Sequence, residues 1–203
     1  VVCTMLASLV YVAFMVNDTF VLSFSLALLG AIIGFFVWNY PSGHIFLGDG
    51  GAYLIGFLVA DLAVVLVGRH LSVSPWYPVL LFMYPLIETL FSIYRRRLKR
   101  KPASVPDGVH LHSLIYRRMI RWVLGYQHIS IERRNAMTSP YLWLLSSMAV
   151  IPATLFFKTT WILMLFCVLF IISYIWIYRR LVRFKAPPWL DWLHFGRHKT
   201  PKP

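Results

Sequence analysis

The most distinctive polar stretch of the chain is a carboxylate enclosed by glycines, Gly48-Asp49-Gly50-Gly51. Glycine permits positive φ angles and a close approach of the backbone to a ligand. Mg²⁺ commonly takes one or two protein carboxylates together with phosphate oxygens, and free N–H groups at a helix start can bind phosphate. The pattern therefore indicates Mg²⁺ held beside a diphosphate. The alternative, which spacing alone favours, is a plain glycine turn with Asp49 as a helix N-cap.

A second candidate is the pair His110 and His112, which follows Asp107-Gly108 in a long basic segment. Imidazoles at this spacing could bind a metal or contact a phosphate. No third ligand stands nearby in the sequence, which argues against zinc. A pair of solvated loop histidines is the alternative. The next residues, 114–124, place Arg117, Arg118 and Arg121 on one helical arc, which predicts a helix lying against anionic lipid head groups.

The elements that must position these residues are apolar. Of 203 residues 59% are hydrophobic and 13% are charged, whereas a soluble domain has ~45–50% apolar and ~25% charged residues. These values exclude a disordered chain and an ordinary soluble enzyme. A membrane-spanning helix needs ~20 apolar residues. We predict an all-α, polytopic transmembrane helix bundle with six spans, at residues 1–16, 20–38, 52–67, 76–94, 141–157 and 161–178.

The basic residues predict the orientation of this bundle. Of the 20 Lys and Arg, 11 fall in the loop 95–140 and 7 in the tail 179–203, and only Arg69 and Lys158 fall on the other side. Because Lys and Arg accumulate in cytoplasmic loops, both the 39–51 loop and the 95–140 loop are predicted to be cytoplasmic, in the inner membrane. The net charge of +13 then needs no nucleic-acid partner. We divide the chain into a transmembrane domain, 1–178, and a basic cytoplasmic tail, 179–203.

Two carboxylates, Asp61 and Glu88, fall inside predicted spans. Carboxylates within the membrane are costly and mark functional positions by default. They motivate a rival hypothesis, a small transporter or channel subunit whose pathway uses Asp61 and Glu88. Their alternative role is pairing with a neighbouring polar group in helix packing.

Taken together, the motifs resemble one family. Asn39-x-Pro41 followed by Ile45-Phe46-Leu47-Gly48-Asp49-Gly50-Gly51-Ala52-Tyr53 is similar to the signature loop of the polyprenyl-phosphate N-acetylhexosamine-1-phosphate transferases, in glycosyl transferase family 4. His110-Leu111-His112 resembles that family's histidine motif. The resemblance covers spans one to four and the long loop, and the last two spans by hydropathy only. The family initiates O-antigen, teichoic acid and peptidoglycan lipid intermediates.

The resemblance implies a reaction and a set of roles. A polyprenyl (undecaprenyl) phosphate attacks the β-phosphorus of a UDP-N-acetylhexosamine, UMP leaves, and Mg²⁺, with Mn²⁺ as an alternative, neutralises the diphosphate. Asp49 matches the metal-binding aspartate, Phe46 an aromatic residue beside the uracil, and His110 and His112 the phosphate contacts. Asn39, Gly48 and Gly50 belong to the same substrate-binding loop, and Ser113 stands where the family often has another histidine.

The family also carries an early Asp-Asp motif and an Asn/Asp-Gly-rich motif, and neither appears in this sequence. Family members have about ten or eleven spans, whereas six are predicted here. The resemblance therefore implies a C-terminal fragment that is inactive alone. Neither the amino sugar nor the polysaccharide pathway follows from these residues.

Overall fold

A computed structural model describes residues 1–41, 43–98 and 138–183, and within these ranges the chain is helical, without strands. The described residues form seven helices: α1 (Val2–Met15), α2 (Thr19–Asn39), α3 (Gly48–Arg69), α4 (Trp76–Leu81), α5 (Met83–Leu98), α6 (Ser139–Leu155) and α7 (Thr160–Arg183). The short apolar helix α1 packs against α2, α3 and α6, and α4 joins α6 and α7. The predicted helical bundle is confirmed.

The bundle has the apolar character of a membrane protein. Three helices, α2, α3 and the Thr160–Leu181 part of α7, are long and apolar enough to cross a membrane, and α1 and α6 are shorter apolar helices. Large hydrophobic side chains also point outward, among them Phe24, Phe57, Leu144 and Trp176. Outward apolar faces of this extent are what a lipid environment requires.

The fourth predicted span, 76–94, is two helices rather than one. Helix α4 ends at Leu81, Phe82 has φ −91° and ψ 7°, and α5 begins at Met83. Pro85 explains the break, because proline has no N–H for the Leu81 carbonyl and its ring clashes with that carbonyl in a continuous helix. Within the first turn of α5 the same proline is tolerated. The third span also differs, since α3 begins four residues before the predicted Ala52.

Buried hydroxyl groups connect α1, α4 and α6. The Ser8 Oγ lies 2.9 Å from the Tyr77 hydroxyl, and the Thr154 hydroxyl donates to the same Ser8 oxygen at 2.6 Å. Tyr77 is fully buried. In a medium without water each such group needs an internal partner, so these bonds fix which faces of the three helices meet.

A charged cluster ties two helices together at the end of the bundle that contains residues 16–19 and 69–76, here called the Asp18 end. Asp18 is the N-cap of α2, and its Oδ1 accepts from the Val21 N–H at 3.1 Å. Its Oδ2 lies 3.0 Å from Arg69 Nε and 2.9 Å from His70 Nε2 at the end of α3. The Asp18 side chain is completely buried, so its charge depends on these partners.

The same contacts set the protonation of Asp18. Desolvation by burial raises its pKa, but the Val21 N–H, the hydrogen bond to His70 and the positive charge of Arg69 together outweigh burial. The pKa of Asp18 therefore lies below its ordinary value of ~3.9. A carboxylate with a lowered folded-state pKa stabilises the fold above the unfolded-state pKa and loses that contribution as the pH falls through the folded-state value.

We expect Asp18→Ala to lower the free energy of unfolding by about 1–3 kcal/mol, because it removes an N-cap and the buried carboxylate that pairs with Arg69 and His70. Asp18→Asn keeps a capping oxygen and should cost less. Thermal unfolding in detergent measures both, with the exposed neighbour Thr19→Ala as control. Equal melting temperatures for Asp18→Ala and the control would contradict this role.

Acid should destabilise the wild type in a way that depends on Asp18. The wild-type melting temperature should drop as the pH falls below about 4, since protonation then removes the favourable charge. The Asp18→Asn variant has no carboxylate at this position and should show a smaller drop over the same range. Parallel melting curves of the two proteins against pH would show that other groups control the acid response.

Candidate functional site

The segment between α2 and α3 is folded back onto the end of α2. The Gly43 N–H donates to the Asn39 carbonyl at 2.6 Å, and the His44 N–H donates to the Trp38 carbonyl at 3.2 Å. The Asn39 side chain donates from Nδ2 to the Ile45 carbonyl at 2.7 Å. Asn39 was predicted to bind substrate, but its side-chain nitrogen is hydrogen-bonded within this loop. This bond helps to fix the position of the residues that follow, up to the start of α3.

Helix α3 begins with a residue that must be glycine for conformational reasons. Gly48 has φ +69°, a left-handed value that a side chain would strain. The N-cap is Leu47, which offers no side-chain hydrogen bond. A Cβ at Gly51 would stand 2.8 Å from Leu47 Cγ, whereas nothing lies within 4 Å of a Cβ at Gly48 or Gly50. Gly51 therefore makes room for Leu47, and the other two glycines leave open space.

Asp49 lies in the first turn of α3 and is exposed. The alternative that Asp49 is the helix N-cap is wrong, because Leu47, two residues earlier, occupies that position. The first N–H groups of a helix have no intrahelical partner, and the helix dipole makes this end positive. Asp49 has no ion pair or hydrogen bond to the described residues, so its oxygens are available to a cation beside N–H groups that suit an anion.

Phe46 precedes this turn and is the most exposed aromatic side chain of the loop, at 85%. An aromatic ring that is this exposed among the described residues is available for stacking on a planar ligand. Phe46, Asp49 and the N–H groups of the Gly48–Gly51 turn all fall within the six residues 46–51. The loop thus combines a planar apolar surface, an anionic ligand group and free donors, which together suit a nucleotide diphosphate with its metal.

An aromatic cluster joins the loop to α6. The Tyr40 ring is stacked on Phe36 at 5.2 Å, and Trp143 meets Tyr40 at 5.2 Å and Phe36 at 5.7 Å. Sequence analysis missed Trp143, since it lies a hundred residues from Tyr40 and shares no motif with it. The cluster positions the first residue after α2, and with it the loop that leads to Asp49.

An apolar cavity of about 650 Å³ opens beside the start of α3. Its walls come from the first residues of α1, the last turns of α2 and the beginning of α3, including Leu47, Ala52 and Ile55, and from Trp143. The cavity therefore borders the helix turn that carries Asp49. Its apolar walls suit a hydrocarbon chain rather than a polar substrate.

The remaining predicted site residues, His110, His112 and Ser113, lie outside the described residues, as do the basic helix at 114–124 and the tail beyond Arg183. Their roles stay predictions. Among the residues that the structure does describe, no three His, Cys, Asp or Glu side chains come together as a metal cluster. A metal at Asp49 would accordingly depend on substrate oxygens or on ligands elsewhere in the chain.

The two carboxylates within predicted spans differ in their surroundings. Glu88 accepts a hydrogen bond from the Tyr174 hydroxyl, which is the helix-packing role named above for such a group. Asp61 is exposed on α3 and pairs with no residue in ranges 1–41, 43–98 and 138–183. The structure thus explains Glu88 by helix packing and leaves Asp61 without a packing partner in those ranges.

Comparison with known proteins shows what the sequence around this site is similar to. Residues 1–67 match the family model for glycosyl transferase family 4. A "probable undecaprenyl-phosphate N-acetylglucosaminyl 1-phosphate transferase" of Bacillus subtilis is 31% identical over 110 residues, which are 53% of this chain and 30% of that protein. The corresponding transferase of Thermotoga maritima is 34% identical over 92 residues, 45% of this chain and 30% of its own length.

A "decaprenyl-phosphate N-acetylglucosaminephosphotransferase" of Mycolicibacterium smegmatis is 33% identical over 132 residues, 59% of this chain and 30% of that protein. The chain thus spans about a third of the length of these relatives. No solved structure matches it. The matched segment, 1–67, contains α1, α2 and the Asp49 loop, so the similarity to glycosyl transferase family 4 includes the candidate site.

Proposed function

We propose that this chain forms the metal- and phosphate-binding part of a membrane transferase. The enzyme moves an N-acetylhexosamine 1-phosphate from a UDP-sugar to a polyprenyl phosphate and releases UMP, in cell-envelope polysaccharide synthesis. The observation that carries the proposal is Asp49 in the first turn of α3, which is exposed and unpaired among the described residues and lies inside the segment matched to the family. The names of the relatives, which specify a polyprenyl phosphate and N-acetylglucosaminyl 1-phosphate transfer, support the substrates.

Asp49 is the residue that would hold Mg²⁺. A single exposed carboxylate fits this ion, because Mg²⁺ retains waters and takes its further ligands from substrate phosphates. When bound, the metal supplies charge neutralisation on the diphosphate. The chain's own contribution is positional, since the Gly48 turn presents the Asp49 carboxylate beside the first N–H groups of α3. His110 and His112 are proposed to contact the same phosphates.

The apolar cavity beside the α3 turn supports a lipid as the second substrate. Its walls at Leu47 and Ala52 stand next to the turn that would hold the diphosphate, so a hydrocarbon chain lying there would place its phosphate near Asp49. About 650 Å³ suits the first isoprene units of a long chain rather than the whole of it.

The charge distribution supports a cytoplasmic location for this end of the bundle, which we call the Asp49 end. Arg95 and Arg97 lie near the end of α5, and Arg179 and Arg180 near the end of α7, on the side where α3 begins. The Asp18 end carries Arg69 and Lys158. Positive charge on the cytoplasmic side is the general rule for inner-membrane proteins, and it would attract anionic lipid head groups.

We expect Asp49→Asn to reduce transfer by at least ~10²-fold in the full-length protein, because the amide keeps the size of the side chain but loses the metal-binding charge. The measurement is UMP release from UDP-N-acetylglucosamine and undecaprenyl phosphate, normalised to membrane-inserted protein. The matched control is Asp61→Asn, on the same helix. If Asp61→Asn abolishes activity and Asp49→Asn does not, the transporter-like use of Asp61 and Glu88 becomes the better explanation.

Phe46→Ala should raise the KM for the UDP-sugar by about tenfold, since stacking of a base on an aromatic ring contributes ~1–3 kcal/mol. Phe46→Tyr retains the ring and should stay near the wild-type value. The KM for the lipid phosphate is the internal reference and should not change in either variant. A Phe46→Ala enzyme with an unaltered KM for the nucleotide sugar would remove this residue from the substrate site.

A further inference from the structure

The apolar cavity reaches both ends of the connection between α2 and α3, residues 40–47. Phe36 lines the cavity from the last turn of α2, and Leu47, the N-cap of α3, lines it at the other end of the connection. Trp143 of α6 forms a further part of the wall. A ligand that fills the cavity therefore packs against residues at both ends of the connection that leads to Asp49.

Trp143 joins the cavity to the beginning of this connection. Its ring centroid lies 5.7 Å from that of Phe36 and 5.2 Å from that of Tyr40, and Tyr40 is stacked on Phe36 with an angle of 7° between the ring planes. Tyr40 is the C-cap of α2 and follows Asn39, whose hydrogen bonds hold the connection against the helix end. A displacement of the Trp143 ring would therefore be transmitted to the backbone of the connection.

Leu47 joins the cavity to the other end. A Cβ at Gly51 would stand only 2.8 Å from Leu47 Cγ, so the Leu47 side chain lies directly against the first turn of α3. Leu47 and Ala52 both line the cavity on either side of this contact. A ligand beside Leu47 thus bears on the same helix turn that carries Asp49.

These contacts link the binding of two ligands. A hydrocarbon chain in the cavity gains dispersion contacts with Leu47 and Trp143 when the connection has the arrangement described here. A ligand that prefers one arrangement of a protein shifts the population toward it. The proposed nucleotide-sugar site depends on the same arrangement, because Phe46 and Asp49 belong to this connection and the turn that follows it. Each ligand should then increase the affinity for the other.

We propose that occupation of the cavity by the isoprenoid chain of the lipid substrate strengthens binding of the nucleotide sugar, and that Trp143 is the positioning residue for this coupling. The apolar walls suit a hydrocarbon chain and not the polar nucleotide sugar, which assigns the two ligands to the two sides of the connection. This inference rests on the proposed function. It gives the C-terminal part of the chain, through α6, a part in substrate binding.

The test measures equilibrium binding of UDP-N-acetylglucosamine to the full-length protein in lipid nanodiscs with Mg²⁺, with and without undecaprenol. Undecaprenol has the hydrocarbon chain but no phosphate to accept the sugar phosphate, so binding is observed without turnover. We expect undecaprenol to lower the wild-type Kd for the nucleotide sugar about fivefold, which is within the usual range for coupling between two sites.

Variants assign this enhancement to the cavity. Trp143→Ala should abolish most of it, whereas Trp143→Phe keeps a ring beside Tyr40 and should retain most of it. Ile33→Trp adds bulk to the cavity wall on α2, leaves the contact of Trp143 with Tyr40 in place, and should also weaken the enhancement. This variant decides the matter if Trp143→Ala does not fold. The matched control is Trp161→Ala, an exposed tryptophan at the start of α7, which should behave as wild type.

A purely structural role of Trp143 would weaken nucleotide-sugar binding by the same factor with and without undecaprenol, and that result would overturn the proposal. So would an undiminished enhancement in Ile33→Trp, since the lipid would then act from another place. UMP release with undecaprenyl phosphate checks the proposed function separately. If wild type transfers but binds the nucleotide sugar equally with and without undecaprenol, only the coupling fails; if wild type shows no transfer, the proposed function fails and the coupling with it.

Discussion

The bundle depends on one constraint, the pairing of polar groups that have been removed from water. Ser8 with Tyr77 and Thr154, Glu88 with Tyr174, and Arg95 with Tyr178 each join different helices. In the described residues the buried hydroxyl oxygens of Ser25 and Ser146 are the exceptions. Because apolar faces discriminate poorly among neighbours in lipid, these few bonds specify which helices meet and in what register.

The carboxylates show how this constraint separates structure from function. Asp18 is buried and has three partners, so its charge belongs to the fold. Glu88 is bonded to Tyr174 in the helix contact. Asp49 is exposed at a helix start among residues that leave open space around it. An unpaired carboxylate beside free N–H groups contributes little to packing, which is why it is the strongest candidate for binding a ligand.

The fold could be predicted from sequence wherever hydropathy alone decides it. Spans near α2, α3, α6 and α7 were predicted within a few residues, since an apolar run bounded by polar residues permits little else. The break at Phe82 does not follow from hydropathy, because the apolar run 76–94 continues through Pro85. The early start of α3 was missed because glycines suggest a loop, although here Gly48 uses its positive φ to begin a helix.

The candidate site, too, can be predicted from sequence only where its residues are close together in the chain. Asp49 and Phe46 belong to one short ordered stretch, so their proximity is a property of the local chain. The contact of Trp143 with Tyr40 joins positions a hundred residues apart, and no local pattern encodes it. The same holds for the contacts of Glu88 with Tyr174 and of Arg95 with Tyr178. Glu88 and Arg95 stand out in the sequence as charges, but their tyrosine partners resemble ordinary residues of an apolar span.

Helix α3 links the two ends of the molecule in a way that favours binding at one of them. Its last turn is anchored, because Arg69 and His70 contact the buried Asp18 that also caps α2. Its first turn has no side-chain cap, and Asp49 in that turn is exposed among the described residues. A binding group is held precisely when the element that carries it is rigid and its supporting contacts lie away from the ligand. The charged cluster at the Asp18 end therefore supports the Asp49 turn through the length of α3, while leaving the N–H groups and carboxylate of that turn available to a ligand.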